Sequence, residues 1–284
     1  MKKFDYYQAN SLKEAYQIMD SFDGRIHYVA GGTDLFIRIH QGTIEPDALI
    51  SLRGIKGLSG ISLNKSLSIG SMTLLRDIER NAQIRQAYPV LSQAVWWLAS
   101  PQIRNVATVG GNLANSAPSA DCAPPLLVLG AELTIEGPNI KRKIPIEEFF
   151  TGPGENCLNK KEVLTQIEIP AITSKAGMSF LKIGRVIRDL AISNVAALLV
   201  LENRTCRKIR LAAGAVAPIP VRLRSVEEMM IGEKITPKLL DQVKKKAQQE
   251  VCPISDVRSS VQYRREVTGV LVRRAIEQAI QNIH

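Results

Sequence analysis

The 284-residue chain is poor in the residues that usually carry chemistry by themselves. It has three histidines, His27, His40 and His284, and no pair of them stands at metal-ligand spacing. Its four cysteines, Cys122, Cys157, Cys206 and Cys252, are scattered, and none forms a Cys-x-x-Cys. That spacing argues against a zinc site, an iron–sulfur cluster and a disulfide framework. Aromatic residues make up only 5% of the chain, and no basic stripe carries interleaved aromatics. The net charge of +10 therefore does not read as a nucleic-acid surface. Lys244-Lys245-Lys246 falls in a helical pattern and reads as a solvated face, and the excess charge suits an anionic ligand or an acidic partner. No apolar run is long enough to span a bilayer. The longest surrounds Val195–Leu201, ends at Glu202 and reads as a buried strand. No signal-peptide core follows Met1-Lys2-Lys3, so the expected compartment is the cytoplasm. With these sources missing, an enzyme built on this chain needs a bound organic cofactor for its chemistry.

What is present is the balance of a soluble globular protein, 45% hydrophobic and 23% charged. Ser11-Leu12-Lys13-Glu14 is a capping box that opens a helix carrying Leu12, Ala15, Tyr16, Met19 and Phe22, with Gly24 as its end. Ile26–Ala30 reads as a strand, and Ala48–Leu52 as another. Ile61, Leu63, Leu67 and Ile69 alternate around Asn64-Lys65-Ser66 as a hairpin does. Thr73 is expected to cap a helix through Ile78 and Ile84. Pro89 opens the next, and Pro124-Pro125 suits a first turn. Leu133–Ile135 and Val163–Ile169 read as strands, and Ile169–Gly177 as a linker. Three strand-like runs follow, Met178–Ile183, Ile192–Leu201 and Ile209–Val216. Pro218-Ile219-Pro220 then breaks the pattern before helices at Val226–Met230, Pro237–Glu250 and Gln262–Asn282.

Two segments look built for a ligand. Val29-Ala30-Gly31-Gly32-Thr33-Asp34 and Thr108-Val109-Gly110-Gly111-Asn112 each read as a strand running into a Gly-Gly turn with polar residues just beyond. Successive backbone N–H groups in such a turn converge on an anion, and glycine permits φ > 0 or a close approach. Thr33, Thr108, Asn112 and Ser116 add short donors. Charge-assisted hydrogen bonds contribute about 1.5–3 kcal/mol each, so a few would hold a diphosphate without a lysine. Neither turn is Gly-x-Gly-x-x-Gly or a Walker loop.

The stretches AGGTDL at 30–35, SPQIRNVATVGGNLANSAPSAD at 100–121 and TGPG at 151–154 resemble the FAD-binding subunit of molybdenum hydroxylases, in particular bacterial xanthine dehydrogenases. KEVLTQIEIP at 161–170, RLAAGAVAPIPVR at 210–222 and DVRSSVQYRREVTGVLV at 256–272 extend the likeness over almost the whole chain. The resemblance implies an α+β chain. Residues 1–175 would form a vanillyl-alcohol-oxidase-type (PCMH) FAD-binding domain, with subdomains at about 1–58 and 59–175. Residues 176–284 would form a CO-dehydrogenase-flavoprotein-like domain, a three-stranded antiparallel sheet with a helical bundle.

It also implies the FAD contacts. These are Val29, Ala30, Gly31, Gly32, Thr33, Asp34, Leu35 and Phe36 in the first segment, and Thr108, Val109, Gly110, Gly111 and Asn112 in the second. Leu98 and Ser100 are further contacts. Asp121 is placed on the adenosine side, Leu164 near the adenine, Lys182 near the flavin ring, and Leu190 in the Gly184–Ile192 loop along the flavin. The resemblance implies partner subunits carrying molybdopterin and a [2Fe–2S] cluster, NAD+ or another electron acceptor, and a hetero-oligomer. No side chain of this chain need act as acid or base. A stand-alone flavoenzyme on the same fold and a non-catalytic nucleotide-binding module are the other readings.

Overall fold

The computed structural model describes residues 2–172 and 174–283. Met1, His284 and Thr173, the last within the stretch read as a linker, lie outside the described residues. The chain begins with β1 (Asp5–Gln8), α1 (Leu12–Ser21), β2 (Ile26–Val29), α2 (Leu35–His40) and β3 (Ala48–Ser51). The strands form a parallel sheet in the order β1-β3-β2. The side-chain alternation of a strand fixes how β3 is covered. Ala48 and Ile50 pack with Ala15, Tyr16 and Met19 of α1, while Leu49 packs with Val29 and Ile39 on the α2 side. Ser11 caps α1, its Oγ accepting from the Glu14 N–H at 3.1 Å. The Glu14 carboxylate accepts from the N–H of Asn10 at 2.8 Å, one residue before the cap. The helix stops at Ser21, short of Gly24, with Phe22 already extended.

A second unit follows: β4 (Ile61–Leu63), β5 (Ser66–Gly70), then six helices, α3 (Leu75–Arg80), α4 (Ala82–Ala87), α5 (Pro89–Trp97), α6 (Pro101–Arg104), α7 (Val109–Ala114) and α8 (Ala123–Leu129). The strands β6 (Glu132–Gly137), β7 (Ile140–Pro145), β8 (Phe150–Gly152), β9 (Glu155–Asn156) and β10 (Val163–Pro170) complete it. Its antiparallel sheet runs β4-β5-β10-β6-β7, with Ile167 of the central strand opposite both Ile69 and Leu133. Thr73 does not cap a helix. Its Oγ1 exchanges hydrogen bonds with the backbone of Gly60 at 3.0 Å. The single helix expected through Ile84 is two, because Asn81 is extended and its Oδ1 accepts from the Ile84 N–H, starting α4 afresh. Helix α8 is buried on every side, as its unbroken apolar sequence requires.

The last unit contains β11 (Gly177–Ile183), β12 (Ser193–Glu202), β13 (Thr205–Gly214), β14 (Val221–Arg222), α9 (Arg224–Met230), α10 (Pro237–Glu250) and α11 (Val261–Gln281). Its antiparallel sheet has four strands, β11-β12-β13-β14, rather than the expected three. After Pro218 and Pro220, Val221 and Arg222 return to pair with Ala213 and Ala212 as a short edge. Both faces of β12 are buried. Val195, Ala197 and Leu199 pack on α10 and α11, while Ala196 and Leu198 join the core that holds α5 and α8. The last unit is thereby fused to the second across the sheet.

Candidate functional site

The first glycine turn leaves β2 at Val29 and enters α2. Gly32 has φ +78°, and a Cβ there would lie 2.5 Å from the Phe36 ring. Gly31 is tight for another reason: a Cβ would meet the Val106 carbonyl oxygen at 2.3 Å and Ala107 Cα at 2.8 Å. The turn is thus pressed against the backbone that leads into the second. Among the described residues, the N–H groups of Gly31, Gly32, Thr33, Asp34 and Leu35 meet no protein acceptor. They form a run of open donors at the start of α2.

The second segment departs from expectation. Val106–Val109 is not a strand; only an isolated bridge joins Thr108 to Leu74. Gly110 and Gly111 lie in the first turn of α7, and neither has a positive φ. Thr108 is the cap, its Oγ1 accepting from the Gly111 N–H at 3.0 Å. Val109 N–H donates to the Thr73 carbonyl at 3.1 Å, Gly110 N–H to Ser71 at 2.8 Å and Asn112 N–H to Thr108 at 3.0 Å. All four amides are therefore engaged inside the protein, and this segment is no anion nest. Its glycines serve close packing. A Cβ on Gly110 would stand 2.7 Å from the Ser71 carbonyl oxygen, and one on Gly111 3.5 Å from Ala30 Cβ, across in the first turn.

The two turns face a cleft of about 560 Å³, within the range of small-molecule and cofactor sites. Val29 to Leu35, Leu98, Thr108, Gly110, Gly111, Asn112, Asp121, Leu164, Lys182 and Leu190 all line it. Three expected residues do not. Val109 is fully buried in the core, Ser100 caps α6 by accepting from the Ile103 N–H, and Phe36 packs its ring against Gly32. His27, Tyr28, Arg38, Ser71 and Glu162 line the cleft without a sequence signal that singles them out. Glu162 accepts from Arg142 at 2.8 Å and from the Asn159 N–H at 2.9 Å. The Arg142 hydrogen bond, followed by that amide and the guanidinium charge, outweighs burial and holds the carboxyl below its usual value.

Asp121 and Lys182 were expected at opposite ends of the ligand. They are an ion pair, Nζ to Oδ2 at 2.6 Å, with side chains only 7% and 3% exposed. Asn194 completes the group, donating from Nδ2 to Asp121 Oδ1 at 2.7 Å. Burial pushes the Asp121 carboxyl above its ordinary value, against the pull of Lys182 and of the hydrogen bonds from Lys182 and Asn194. The visible signal for Asn194 was two polar residues, Ser193-Asn194, opening an otherwise apolar strand.

The loop between β11 and β12 closes one end of the cleft with Arg188, Asp189 and Leu190. Arg188 has φ +65° and its guanidinium sits 4.6 Å above the Trp96 ring. Among the described residues no cluster of His, Cys, Asp or Glu is arranged to hold a metal, and no helix is long and apolar enough to cross a membrane. The four cysteines are free. Burial pushes the Cys206 thiol up to about 11 and that of Cys122 higher still, so neither is a ready nucleophile.

Open amides suit a diphosphate, Leu98, Leu164 and Leu190 suit rings, and the buried ion pair offers a polar contact, so the residues present fit a flavin dinucleotide. Comparison with known proteins agrees. Residues 2–172 match the FAD binding domain in molybdopterin dehydrogenase, and residues 179–279 the CO dehydrogenase flavoprotein C-terminal domain. The chain is 31% identical to the glyceraldehyde dehydrogenase medium chain of Sulfolobus acidocaldarius, over 97% of this chain and 98% of that one. It is 31% identical to the xanthine dehydrogenase FAD-binding subunit of Escherichia coli O157:H7, over 97% and 95%. Among solved structures, a chain of the carbon monoxide dehydrogenase of Hydrogenophaga pseudoflava superposes with a TM-score of 0.96 at 27% identity, covering 100% of this chain and 99% of that one.

Proposed function

The chain belongs to the FAD-binding medium subunits of the molybdenum hydroxylases, and from that premise we propose that it takes electrons from a [2Fe–2S] subunit and passes them through FAD to NAD+ or another acceptor. The complex on this reading is xanthine dehydrogenase-like and cytoplasmic, and its large molybdopterin-binding subunit hydroxylates a purine or related N-heterocycle. Bound FAD supplies the exchange of electrons one or two at a time. This chain's own residues bind it and orient it.

The observation that carries the reading is the run of unsatisfied N–H groups from Gly31 to Leu35, opening onto the cleft beside a second turn whose amides are already engaged. We assign the diphosphate to that run. The glycine-flattened face of Gly110 and Gly111 lets it approach. Thr33, Thr108 and Asn112 offer side-chain contacts, Leu164 and Leu98 pack against rings, and the Asp121–Lys182 pair fixes one polar edge. The test is an absorbance spectrum of the purified full chain, with release and identification of its cofactor. FAD near one per chain, lost in Gly31→Ala, is the expected result. A chain that stays colourless both alone and with its partner subunits overturns the reading.

A further inference from the structure

A buried arginine stands behind the cleft wall with no part in the site described so far. Ser100 and Pro101 start α6, and the one turn that follows brings Arg104 back over the chain that enters it. The Arg104 side chain is 1% exposed. Its Nη1 donates to the carbonyls of Leu98 at 2.8 Å and Ala99 at 2.6 Å. Nε and Nη2 donate to the Glu79 carboxylate at 3.0 and 3.2 Å, a bidentate pair to which Arg76 adds a third hydrogen bond at 2.7 Å. Burial alone would push the Glu79 carboxyl up, but the hydrogen bonds from Arg104 and Arg76 hold it below its ordinary value. A buried charge is costly unless it is paired and hydrogen-bonded, and both conditions are met around this one turn.

The turn itself is strained. Ala99 has φ +44°, a left-handed conformation that a residue with a Cβ seldom holds without support. Strain of this kind gathers at binding sites, and Leu98, Ala99 and Ile103 all line the cleft. Lys182, the partner of Asp121, donates to the preceding carbonyl, that of Trp97, at 3.4 Å. Three successive carbonyls are thus held by two cations. The Ala99 N–H, by contrast, meets no protein acceptor among the described residues.

We propose that Arg104 is a positioning residue for the cofactor: braced by Glu79, it holds Leu98 and Ala99 in the left-handed turn and so presents the Leu98 side chain and the free Ala99 amide to the ring system of FAD. This rests on the assignment of the cleft to FAD. Lysine cannot replace the arginine, because a single ammonium cannot reach two carbonyls and a carboxylate as the planar guanidinium does. Glycine at position 99 can relieve its loss, because without a Cβ the left-handed form needs no clamp.

The experiment titrates FAD into the flavin-depleted full chain, or into its complex with the partner subunits if flavin is taken up only there. Flavin fluorescence gives the dissociation constant, and the unfolding midpoint is measured beside it. Arg104→Lys should weaken FAD binding at least tenfold. Adding Ala99→Gly should recover most of that affinity without recovering the stability lost with the buried hydrogen bonds. A purely structural role would move affinity and stability together. Glu79→Gln loosens the brace but keeps the arginine, so it should weaken FAD binding less and be relieved by the same glycine; it carries the test if Arg104→Lys does not fold. With a wild type that binds FAD, unchanged affinity in Arg104→Lys overturns the proposal alone. So does a loss that Ala99→Gly does not relieve. A wild type that binds no FAD, alone or in the complex, overturns the reading of the cleft and the proposal with it.

Discussion

The two glycine turns look alike in sequence and do opposite things in the structure. The first, at Gly31–Gly32, leaves its backbone donors open to the cleft. The second, at Gly110–Gly111, has them closed by Ser71, Thr73 and Thr108, and contributes a flat, rigid face instead. One turn presents open donors, and the other stands close behind it. The difference lies in neither glycine pair. It lies in what packs against each: the β5–α3 connection supplies carbonyls to the second turn, and nothing among the described residues supplies them to the first.

The closed side extends to Asp121, whose charge is met within the protein. The largest expected effect comes from opening it. Lys182→Met leaves a buried carboxylate without its cation and should cost about 3–5 kcal/mol of stability in denaturant unfolding. The cost should shrink as pH falls and the carboxyl protonates. Adding Asp121→Asn should restore much of it, and a full-sized loss in the double variant would mean that packing, not charge, holds the site.

Next in size is the contact between the turns. Gly31→Ala forces a Cβ onto the Val106 carbonyl. It should cost about 1–3 kcal/mol by overpacking and lower flavin content at least tenfold. Gly110→Ala should cost a similar amount of stability against Ser71 with a smaller loss of flavin, because it displaces no open donor. Equal flavin losses would erase the distinction between the turns. Amide exchange reads the distinction directly. On adding FAD, exchange at Gly31–Leu35 should slow at least tenfold, while Val109–Asn112, already hydrogen-bonded, should change little.

Two smaller effects sharpen it. Thr108→Val removes a helix cap and should cost about 1 kcal/mol, whereas Thr33→Val should leave stability unchanged and weaken flavin binding. Glu162→Gln tests the cleft wall by pH. The folded carboxyl titrates below its ordinary value of about 4.3, so its stabilisation is present above that value and is lost as pH falls through it toward the lower folded value. The variant should flatten the acid limb of a stability–pH curve, and an unchanged limb would mean that the Arg142 contact carries no net stability.

Much of the fold was legible because hydrophobic period and caps are local signals. Ser11 as a cap, the hairpin at Asn64–Ser66, and the helix Pro237–Glu250 follow from neighbours in sequence. The failures share one cause. Thr73 looked like a cap but bonds to Gly60, and Val106–Val109 looked like a strand but runs into a helix whose first amide is held by Thr73; the Asp121–Lys182 pair was not foreseen either. In each case the deciding partner is distant in sequence, and no local pattern encodes it.

By itself, then, the sequence determined the class of the chain, the position of both glycine turns and, through its motifs, the family and the cofactor. Glycine is legible because removing a Cβ has one physical meaning wherever it occurs: backbone can come close. Only the tertiary structure decided what comes close to each turn, and so which amides remain free. Hydrogen-bond donors are satisfied or left open by whatever acceptors the fold brings within about 3 Å, and at the second turn Ser71 and Thr73, from a distant connection, close the amides of Val109 and Gly110.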